Sequence, residues 1–338
     1  MSVKNGARGA RGATIIDVAA AAGVSPMTVS RVINGKSGVA AETRAAVQRA
    51  IEALDYTPNV AARSLVTSTE LRVGVLYSNP SRAFMSEFLT GVFEEASTRG
   101  ARLILLRGEN GHPPPLPAIE ELVASGLAGV VVTPPLGEAL PVLSILRAAG
   151  VPIAAVGAHG VAGATCVRID DRLAAYEMTR HLLALGHRRL GFILGNPDQA
   201  ASAERMAGFY AAVREAGGVE VRVAQGDFSY ASGLAAGEQL LAADNPPTAI
   251  FASNDDMAAA VVSVAHRRHL DVPGELSVAG FDDTTAAVTL WPPLTTIHQP
   301  VHRLAAEALA RLLGHGEPGD CILDHEIVER QSVAGPRG

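Results

Sequence analysis

Polar side chains come at the ends of several apolar runs in the second part of the chain. Ser78, Asn254 and Asp282 each stand at or just after such a run, while Arg205 and Phe228 lie in the segments between them. A carboxylate accepts hydrogen bonds from sugar hydroxyls, a guanidinium or amide donates to them, and an aromatic ring stacks on the apolar face of a sugar. These residue types therefore indicate a binding site for a polyol.

Each of these groups also has a plainer structural interpretation, which the residues alone leave open. Asp255 and Asp283 fit helix caps, and Phe228 fits a core position. His266 and His269 are spaced to share a helix face, but two histidines do not make a metal site, so a solvated helix end is the expectation. The sequence contains no Gly-x-Ser-x-Gly elbow, complete phosphate loop or His-Glu-x-x-His motif. We therefore expect binding without catalysis, and no cofactor or metal.

The elements that must position these side chains alternate between strand and helix from Arg72 onward. This alternation predicts parallel sheets covered on both faces, and about 260 residues of it favour two Rossmann-like lobes. Ligands of such folds bind beyond the carboxyl ends of the strands. The predicted strands are 73–76, 102–106, 129–132, 153–156, 190–194, 219–224, 248–252 and 276–280, and the predicted helices include 84–98, 174–185, 203–216, 233–243 and 257–268.

The first part of the chain has a different pattern, with start and stop signals for short helices. A capping box at Thr14 predicts a first helix, which Gly23 ends. Ser25 and Pro26 predict the start of a second helix, which continues to Ile33. Two helices joined by a tight glycine turn form a helix-turn-helix. A third helix, predicted over 42–54, would cover the first two with Val47, Ile51 and Leu54.

In such a unit the second helix enters the major groove of DNA, with its first residues over the base edges. Arg31 can bind guanine with two hydrogen bonds, whereas Pro26 and Met27 offer only apolar contacts. A short helix over 57–65 would follow, with Leu65 as a candidate wedge in the minor groove. A three-helix bundle that binds a protein and an ordinary linker helix are the alternatives.

Charge is distributed unevenly along the 338 residues. The chain has a net charge of −6, but the first 70 residues contain eight basic and five acidic residues, a net charge of +3. A cationic head can bind phosphates while the anionic remainder is repelled. The two cysteines are too few for a disulfide framework. Neither a signal peptide nor an apolar run of membrane length is apparent, so we expect a cytoplasmic, nucleoid-associated protein without a membrane partner.

A longer stretch resembles a known family. The head reads TIIDVAAAAGVSPMTVSRVINGKSGVAAETRAAVQRAIEALDYTPNVAARSL, which resembles the DNA-binding head and hinge of the LacI/GalR family of bacterial repressors. The segments HLLALGHRRLGFILG, AIFASNDDMAAAVV, LSVAGFDDT and PPLTTIHQPV are similar to the family's effector domain. The resemblance implies a homodimer on pseudo-palindromic double-stranded operator DNA. Together with the helix positions it assigns DNA contacts to Thr14, Ser25, Pro26, Met27, Thr28, Ser30, Arg31, Asn34, Asn59, Ala62 and Leu65.

The resemblance also implies effector contacts at Ser78, Phe84, Arg205, Phe228, Asn254 and Asp282. Residues 81–83 look like a three-residue insertion after the first strand, in a loop that lines the family's cleft. The effector class implied is a mono- or disaccharide. A purine-responsive co-repressed regulator, the solute-binding protein of a sugar transporter, and an enzyme of sugar metabolism are the alternatives.

The expected protein therefore has an all-α helix-turn-helix head and an α/β body like a periplasmic binding protein, and acts as an effector-controlled transcription repressor. The expected domains are a flexible arm (1–13), the helix-turn-helix (14–57), the hinge and linker (58–70) and the effector and dimerisation domain (71–338). Within the last, the N-lobe takes 71–168 and 299–326, and the C-lobe takes 169–298 and 327–338.

Overall fold

The chain divides into two units, Met1–Glu70 and Leu71–Gly338. The computed structural model describes residues 15–33 and 40–54 of the first unit and residues 71–109, 111–315 and 319–337 of the second. The arm predicted at 1–13 and the hinge predicted at 58–70 lie outside the described residues. The predicted domain and lobe boundaries stay a prediction.

The first unit is a helix-turn-helix with a third helix, as the start and stop signals predict. Its helices are α1 (Ile15–Ala22), α2 (Pro26–Ile33) and α3 (Ala41–Ala53). Gly23 ends α1 with a φ of 66°, a left-handed conformation that glycine adopts without strain. Ser25 then starts α2, since its Oγ accepts a hydrogen bond from the Thr28 backbone N–H at 3.2 Å.

A small apolar core joins the three helices. α3 contributes Val47 and Ala50 to it, with Ile51 partly buried alongside. The prediction that Leu54 also covers the first two helices is wrong, because Leu54 lies beyond the end of α3 and is 37% exposed. The buried residues of this core are Val18, Ala19, Val29, Val32, Val47 and Ala50.

The second unit consists of two six-stranded sheets with flanking helices, which confirms the predicted pair of α/β lobes. Its strands are β1 (Arg72–Tyr77), β2 (Arg102–Arg107), β3 (Gly129–Val132), β4 (Ile153–Val156), β5 (Thr165–Ile169), β6 (Arg189–Leu194), β7 (Glu220–Gln225), β8 (Ala249–Ala252), β9 (Ser277–Asp282), β10 (Thr295–His298), β11 (Cys321–Leu323) and β12 (Glu326–Val328). Its helices are α4 (Arg82–Arg99), α5 (Leu116–Ala124), α6 (Leu140–Ala148), α7 (Asp171–Ala184), α8 (Ala200–Ala216), α9 (Tyr230–Leu241), α10 (Asp255–Arg267), α11 (Thr285–Thr289) and α12 (Val301–Leu312).

The strand order explains where a ligand can bind. The N-terminal lobe has the order β11-β5-β4-β3-β1-β2, and the C-terminal lobe has the order β12-β10-β9-β8-β6-β7. All neighbouring strands are parallel except β12, which runs antiparallel to β10. In each lobe the order reverses beside the first strand, β1 or β6, and such a switch point leaves a crevice at the carboxyl ends of the strands.

Four strands escaped the sequence-based prediction, and β10 shows why. Its Thr295 and Thr296 are buried but polar, so the segment lacks the apolar run of a central strand. Their hydrogen-bonding capacity is met inside the protein. The Thr295 backbone N–H donates to Ser332, and the Thr296 hydroxyl donates to Asp255. Buried polar groups are tolerated when they are paired in this way.

Close helix packing in the C-terminal lobe depends on Gly208. A Cβ atom at this position of α8 would lie 2.1 Å from the carbonyl oxygen of Arg172 in α7. At Gly237 in α9, the nearest atom to an added Cβ is a Val264 methyl group at 3.3 Å.

We therefore expect Gly208→Ala to lower the free energy of unfolding by about 1–3 kcal/mol, because α7 and α8 must move apart. Gly237→Ala is the matched control and should change it by less than about 1 kcal/mol, since a methyl group can shift and alanine favours the helix. Urea denaturation of both variants measures the difference. Equal stability of the two variants would contradict this account of the α7–α8 packing.

Candidate functional site

A cleft lies at the carboxyl ends of the strands of both lobes. The residues that line it lie at or after the carboxyl ends of β1, β3, β4 and β5 of one sheet and of β6 to β10 of the other, with one more from α12. The cleft therefore occupies the place that the two switch points predict. Its lining consists of Asn79, Ser81, Phe84, Pro134, Val156, Gly157, Ile169, Asp171, Gln199, Ala201, Arg205, Phe228, Asn254, Asp282, Gln299 and Leu304.

Arg205 lies at the centre of the contacts that shape this cleft. Its Nε donates to Asp171 Oδ1 at 2.8 Å, and its Nη1 donates to the Ser253 carbonyl oxygen at 2.5 Å. The guanidinium carbon lies 3.5 Å from the centre of the Phe281 ring, a cation–π contact. The side chain is 5% exposed. Arg205 is thus a buried cation, held by a carboxylate, a carbonyl and an aromatic face.

Asp171 is the counter-ion of Arg205, and the sequence analysis missed it. It is the first residue of α7 and is almost fully buried. Burial alone would raise the pKa of this carboxyl, but the charge of Arg205 and a hydrogen bond with His159 hold the pKa below its usual value. An aspartate at a helix start is ordinary in a sequence, so nothing nearby distinguished it.

Asp282, a predicted effector residue, is the last residue of β9 and lines the cleft. Its Oδ1 accepts a hydrogen bond from Gln299 Nε2 at 2.5 Å and lies 4.0 Å from Arg205 Nη1. Burial raises the pKa of Asp282 well above its usual value, against the opposing charge of Arg205. Its φ of 112° is strained for a residue with a side chain, and such strain concentrates at functional sites. Gln299, which the sequence analysis did not single out, positions this carboxyl.

Asn254 and Phe228, both predicted effector residues, lie together in the cleft. Asn254 Oδ1 caps α10 by accepting from the Met257 backbone N–H at 2.9 Å, and its Nδ2 donates to the Phe228 carbonyl oxygen at 2.9 Å. The Phe228 ring covers Gly195, where an added Cβ would lie 2.0 Å from the ring. Asn254 therefore holds Phe228 in place, in a conformation with a φ of 71°.

The segment after β1 differs from the sequence-based prediction. The helix predicted to start at Phe84 begins at Arg82 as α4, and the insertion predicted at 81–83, which stays a prediction, coincides with its N-cap and first residues. Ser81 is its N-cap and accepts from the Phe84 backbone N–H at 3.3 Å. Ser81 and Phe84 both line the cleft.

Ser78, another predicted effector residue, is not part of the lining of the cleft. Among the described residues, Asn79 and not Ser78 lines the cleft after β1. Ser78 is buried beside Gly108, where an added Cβ would lie 2.9 Å from the serine Oγ. Both residues follow Tyr77, the last residue of β1, so no strand pattern in the sequence decides which of them faces the cleft.

Gln199 is a cleft residue that the sequence analysis did not single out. It is 4% exposed, and its Nε2 has no hydrogen-bond partner among the described residues. A buried amide without a partner is costly, so such a donor in a binding cleft indicates a ligand acceptor. Only its position after the strand β6 could have suggested it from the sequence.

The second candidate surface is α2 of the first unit. Met27 is 74% exposed, and Ser25, Pro26 and Arg31 are also exposed, while Val29 turns into the core. Thr28 is half-buried, and its hydroxyl lies 3.0 Å from Ser25 Oγ. Ser30 lies in α2 as well. The other predicted DNA contacts, Thr14, Asn34, Asn59, Ala62 and Leu65, lie outside the described residues.

Comparison with known proteins gives matches in both units. Residues 14–59 match the model of the bacterial regulatory proteins of the lacI family, and residues 179–333 match the periplasmic binding protein-like domain. The chain is 36% identical over 338 residues to the HTH-type transcriptional repressor PurR of Pectobacterium carotovorum subsp. carotovorum (strain PC1), covering 96% of this chain and 98% of that protein. The chain belongs to the LacI family.

Two solved structures of LacI-type regulators resemble the chain over nearly its whole length. The complex of the regulator CelR with cellobiose has 33% sequence identity and a TM-score of 0.68, and covers 95% of this chain and 99% of its own. The lac repressor dimer bound to operator and the anti-inducer ONPF has 27% identity and a TM-score of 0.79, and covers 96% and 100%.

As a LacI-family member, the protein is a DNA-binding transcription regulator with an effector domain, and not an enzyme. The alternatives of a transporter's solute-binding protein and of a protein-binding helical bundle do not account for the matched head. In the part of the chain that the structure describes, no helix is long and apolar enough to cross a membrane. The same part holds no group of three or more histidine, cysteine or acidic side chains placed for a metal ion.

Beneath the cleft of this LacI-family protein, Asp255 is a buried carboxyl. Its Oδ2 accepts from the Thr284 backbone N–H at 2.7 Å, and its Oδ1 accepts from the Thr296 hydroxyl at 2.6 Å. The pKa of Asp255 is raised to about 7, chiefly by burial and in smaller part by nearby Asp283, while the hydrogen bonds from Thr296 and Thr284 oppose the rise. The interpretation of Asp255 as the cap of α10 is wrong, because Asn254 is the N-cap.

The raised pKa makes stability depend on pH. Between about pH 4 and pH 7 the folded protein keeps a proton on Asp255 that the unfolded chain releases, so stability falls as the pH rises, by up to about 1.4 kcal/mol per pH unit. Above pH 7 this contribution is lost. We expect the free energy of unfolding to fall less between pH 5 and pH 7 in Asp255→Asn than in the unaltered protein. Denaturant titrations at both pH values test this, and an identical fall in both proteins would exclude Asp255.

Proposed function

We propose that the protein is a transcription repressor, and that a neutral sugar bound in the cleft controls its binding to operator DNA. The observation that carries the choice of effector is the charge balance of the cleft. Arg205 is the cation among the described lining residues, and Asp171 neutralises it at 2.8 Å. Burial raises the pKa of Asp282 well above its usual value. An anionic effector, such as a sugar phosphate, would find no unpaired cation among these side chains.

The remaining lining side chains suit hydroxyl groups. Asn79, Ser81 and Gln199 offer amide and hydroxyl groups that can donate and accept, as each sugar hydroxyl also can. Phe84 and Phe228 offer aromatic surface for the apolar face of a sugar ring. A mono- or disaccharide has both the hydroxyl groups and the apolar ring face that these side chains can bind.

A purine is the second candidate effector. The two aromatic residues that favour a sugar ring, Phe84 and Phe228, would also stack on a purine base. A purine has a few hydrogen-bonding groups in one plane, whereas the polar side chains come from segments on both sides of the cleft. This arrangement favours the sugar.

For the DNA-binding unit, we propose that α2 enters the major groove of a pseudo-palindromic operator and that the protein acts as a homodimer. The lac repressor structure, which it resembles, is a dimer bound to operator. The exposed Met27 can contact only apolar groups such as the thymine methyl, and Arg31 can bind guanine. Because its operators lie in the nucleoid, its place of action would be the cytoplasm.

A thermal-shift screen of the purified protein tests the effector proposal. The panel contains mono- and disaccharides, sugar phosphates and purines. A ligand at a hundred times its Kd adds about 2.7 kcal/mol to the stability of the folded state. A hit confined to neutral sugars supports the proposal, and operator-binding assays with that sugar then show whether it releases or strengthens DNA binding. A hit among purines or phosphates would replace the sugar.

Asp282→Asn tests the role of the cleft carboxyl. The amide keeps the size of the side chain and tolerates the positive φ, but it replaces an acceptor or protonated oxygen with a donor. We expect affinity for the sugar found in the screen to fall by about 1–3 kcal/mol, while operator binding without the sugar stays unchanged. Isothermal titration and gel-shift assays measure the two quantities. Asp198→Asn, which alters an exposed carboxyl near the cleft, is the control, and equal effects of both variants would refute the assignment.

Arg31→Ala tests base recognition by α2. We expect a loss of about 1–3 kcal/mol in operator affinity and weaker selection for guanine at one position of each half-site. Arg49→Ala removes the same charge from the exposed face of α3, so it should lower affinity evenly across sequences. Selection of binding sites from a random DNA library, followed by affinity measurement, compares the two. An unchanged base preference in Arg31→Ala would remove Arg31 from direct recognition.

A further inference from the structure

Glu138 joins the two lobes of the second unit. It ends the short 3-10 turn Leu136–Glu138 that follows β3, and so it belongs to the N-terminal lobe. Its Oε1 accepts a hydrogen bond from the His159 backbone N–H of the same lobe at 3.2 Å. Its Oε2 accepts a hydrogen bond from the Ala200 backbone N–H of the C-terminal lobe at 2.8 Å. One carboxylate thus bridges a loop after β4 and the start of α8.

The bond to Ala200 caps a helix from the opposite lobe. Ala200 is the first residue of α8, and Gln199 before it makes no side-chain cap hydrogen bond. The unpaired N–H groups and the dipole of a helix start favour a nearby negative charge. Glu138 supplies that charge only while the lobes are together. Opening the cleft therefore removes both an acceptor and a charge from the start of α8.

A second contact between the lobes involves the side chain of His159, the residue whose backbone N–H donates to Glu138. The ring Nε2 of His159 lies 3.5 Å from Asp171 Oδ2, and Asp171 Oδ1 binds Arg205. Arg205 is on α8, the helix whose start Glu138 caps at Ala200. The contacts of Glu138 therefore hold in register the side chains that shape the cleft.

We propose that Glu138 is a positioning residue that sets effector affinity by holding the lobes closed. The inference rests on the proposed function only in treating the cleft as the effector site. The two hydrogen bonds of Glu138, to His159 and Ala200, are called the latch, and they favour the closed form of the cleft in the absence of an effector. Without the latch, part of the effector's binding free energy is used to close the cleft. The apparent affinity is then the affinity of the closed form multiplied by the fraction of protein that is closed.

Hydrogen–deuterium exchange of the full-length, effector-free protein tests the latch without knowledge of the effector. The variants are Glu138→Ala, which removes both acceptors, and Glu138→Gln, which keeps the shape and removes the charge. Glu121→Ala, an exposed glutamate of α5 in the same lobe, is the control. Loss of a charge-assisted hydrogen bond should raise the population of the open form about tenfold.

Two groups of peptides distinguish a latch from a local cap. Faster exchange in Glu138→Ala both near 199–203 and in the remote cleft segments 79–84 and 226–230 is the expected result, with a smaller effect for Glu138→Gln. Faster exchange at 199–203 alone would overturn the proposal and leave a purely local cap. Unchanged exchange everywhere, or equal changes in Glu121→Ala, would overturn it as well. None of these outcomes depends on which effector the screen identifies.

Discussion

The buried ion pair between Arg205 and Asp171 is the interaction on which the rest of the cleft depends. A guanidinium that is 5% exposed is tolerated only when its charge and its N–H groups are compensated. Asp171 at 2.8 Å supplies the charge, the Ser253 carbonyl accepts a second hydrogen bond, and the Phe281 ring covers the face. Asp171 follows β5, Ser253 follows β8 and Phe281 lies in β9, so the contacts of Arg205 link three strand ends.

The pair also sets the electrostatics of its neighbours. Because Asp171 already satisfies Arg205, the cation offers Asp282 only a contact at 4.0 Å. The opposing effect of burial is then the larger one, and the pKa of Asp282 is raised. A cleft with one compensated cation and a carboxyl of raised pKa offers hydrogen-bonding groups and no unpaired cation among its described lining residues. That is the environment a neutral polyol requires, since each hydroxyl is recognised by direction and not by charge.

The sequence predicts most of the fold but only part of the site, and the difference has physical reasons. Strand–helix alternation predicted both sheets because most strands are apolar runs, but β10 is built on buried threonines that no hydropathy pattern marks. Arg205, Phe228, Asn254 and Asp282 were predicted from residue type and resemblance, and the structure brings them into one cleft. Ser78 was predicted where its neighbour Asn79 lines the cleft, because both follow the end of β1, where no strand pattern sets the direction of a side chain. Asp171 and Gln199 have no local signal, because only the tertiary structure gives them their neighbours.

Specificity and the strength of the response have separate structural origins in this arrangement. In the proposed mechanism the side chains that line the cleft decide which molecule fits, since Gln199 has a buried donor without a partner among the described residues and Asp282 has a strained backbone. Both features raise the free energy of the effector-free protein. A ligand that accepts a hydrogen bond from Gln199 removes the first of these two costs. Glu138 is not among the residues that line the cleft. Its two hydrogen bonds nevertheless join the two lobes to which the lining residues belong. A change at Glu138 would therefore shift the effector concentration at which the protein responds without changing the contacts that select the effector, whereas a change at Gln199 would alter those contacts themselves.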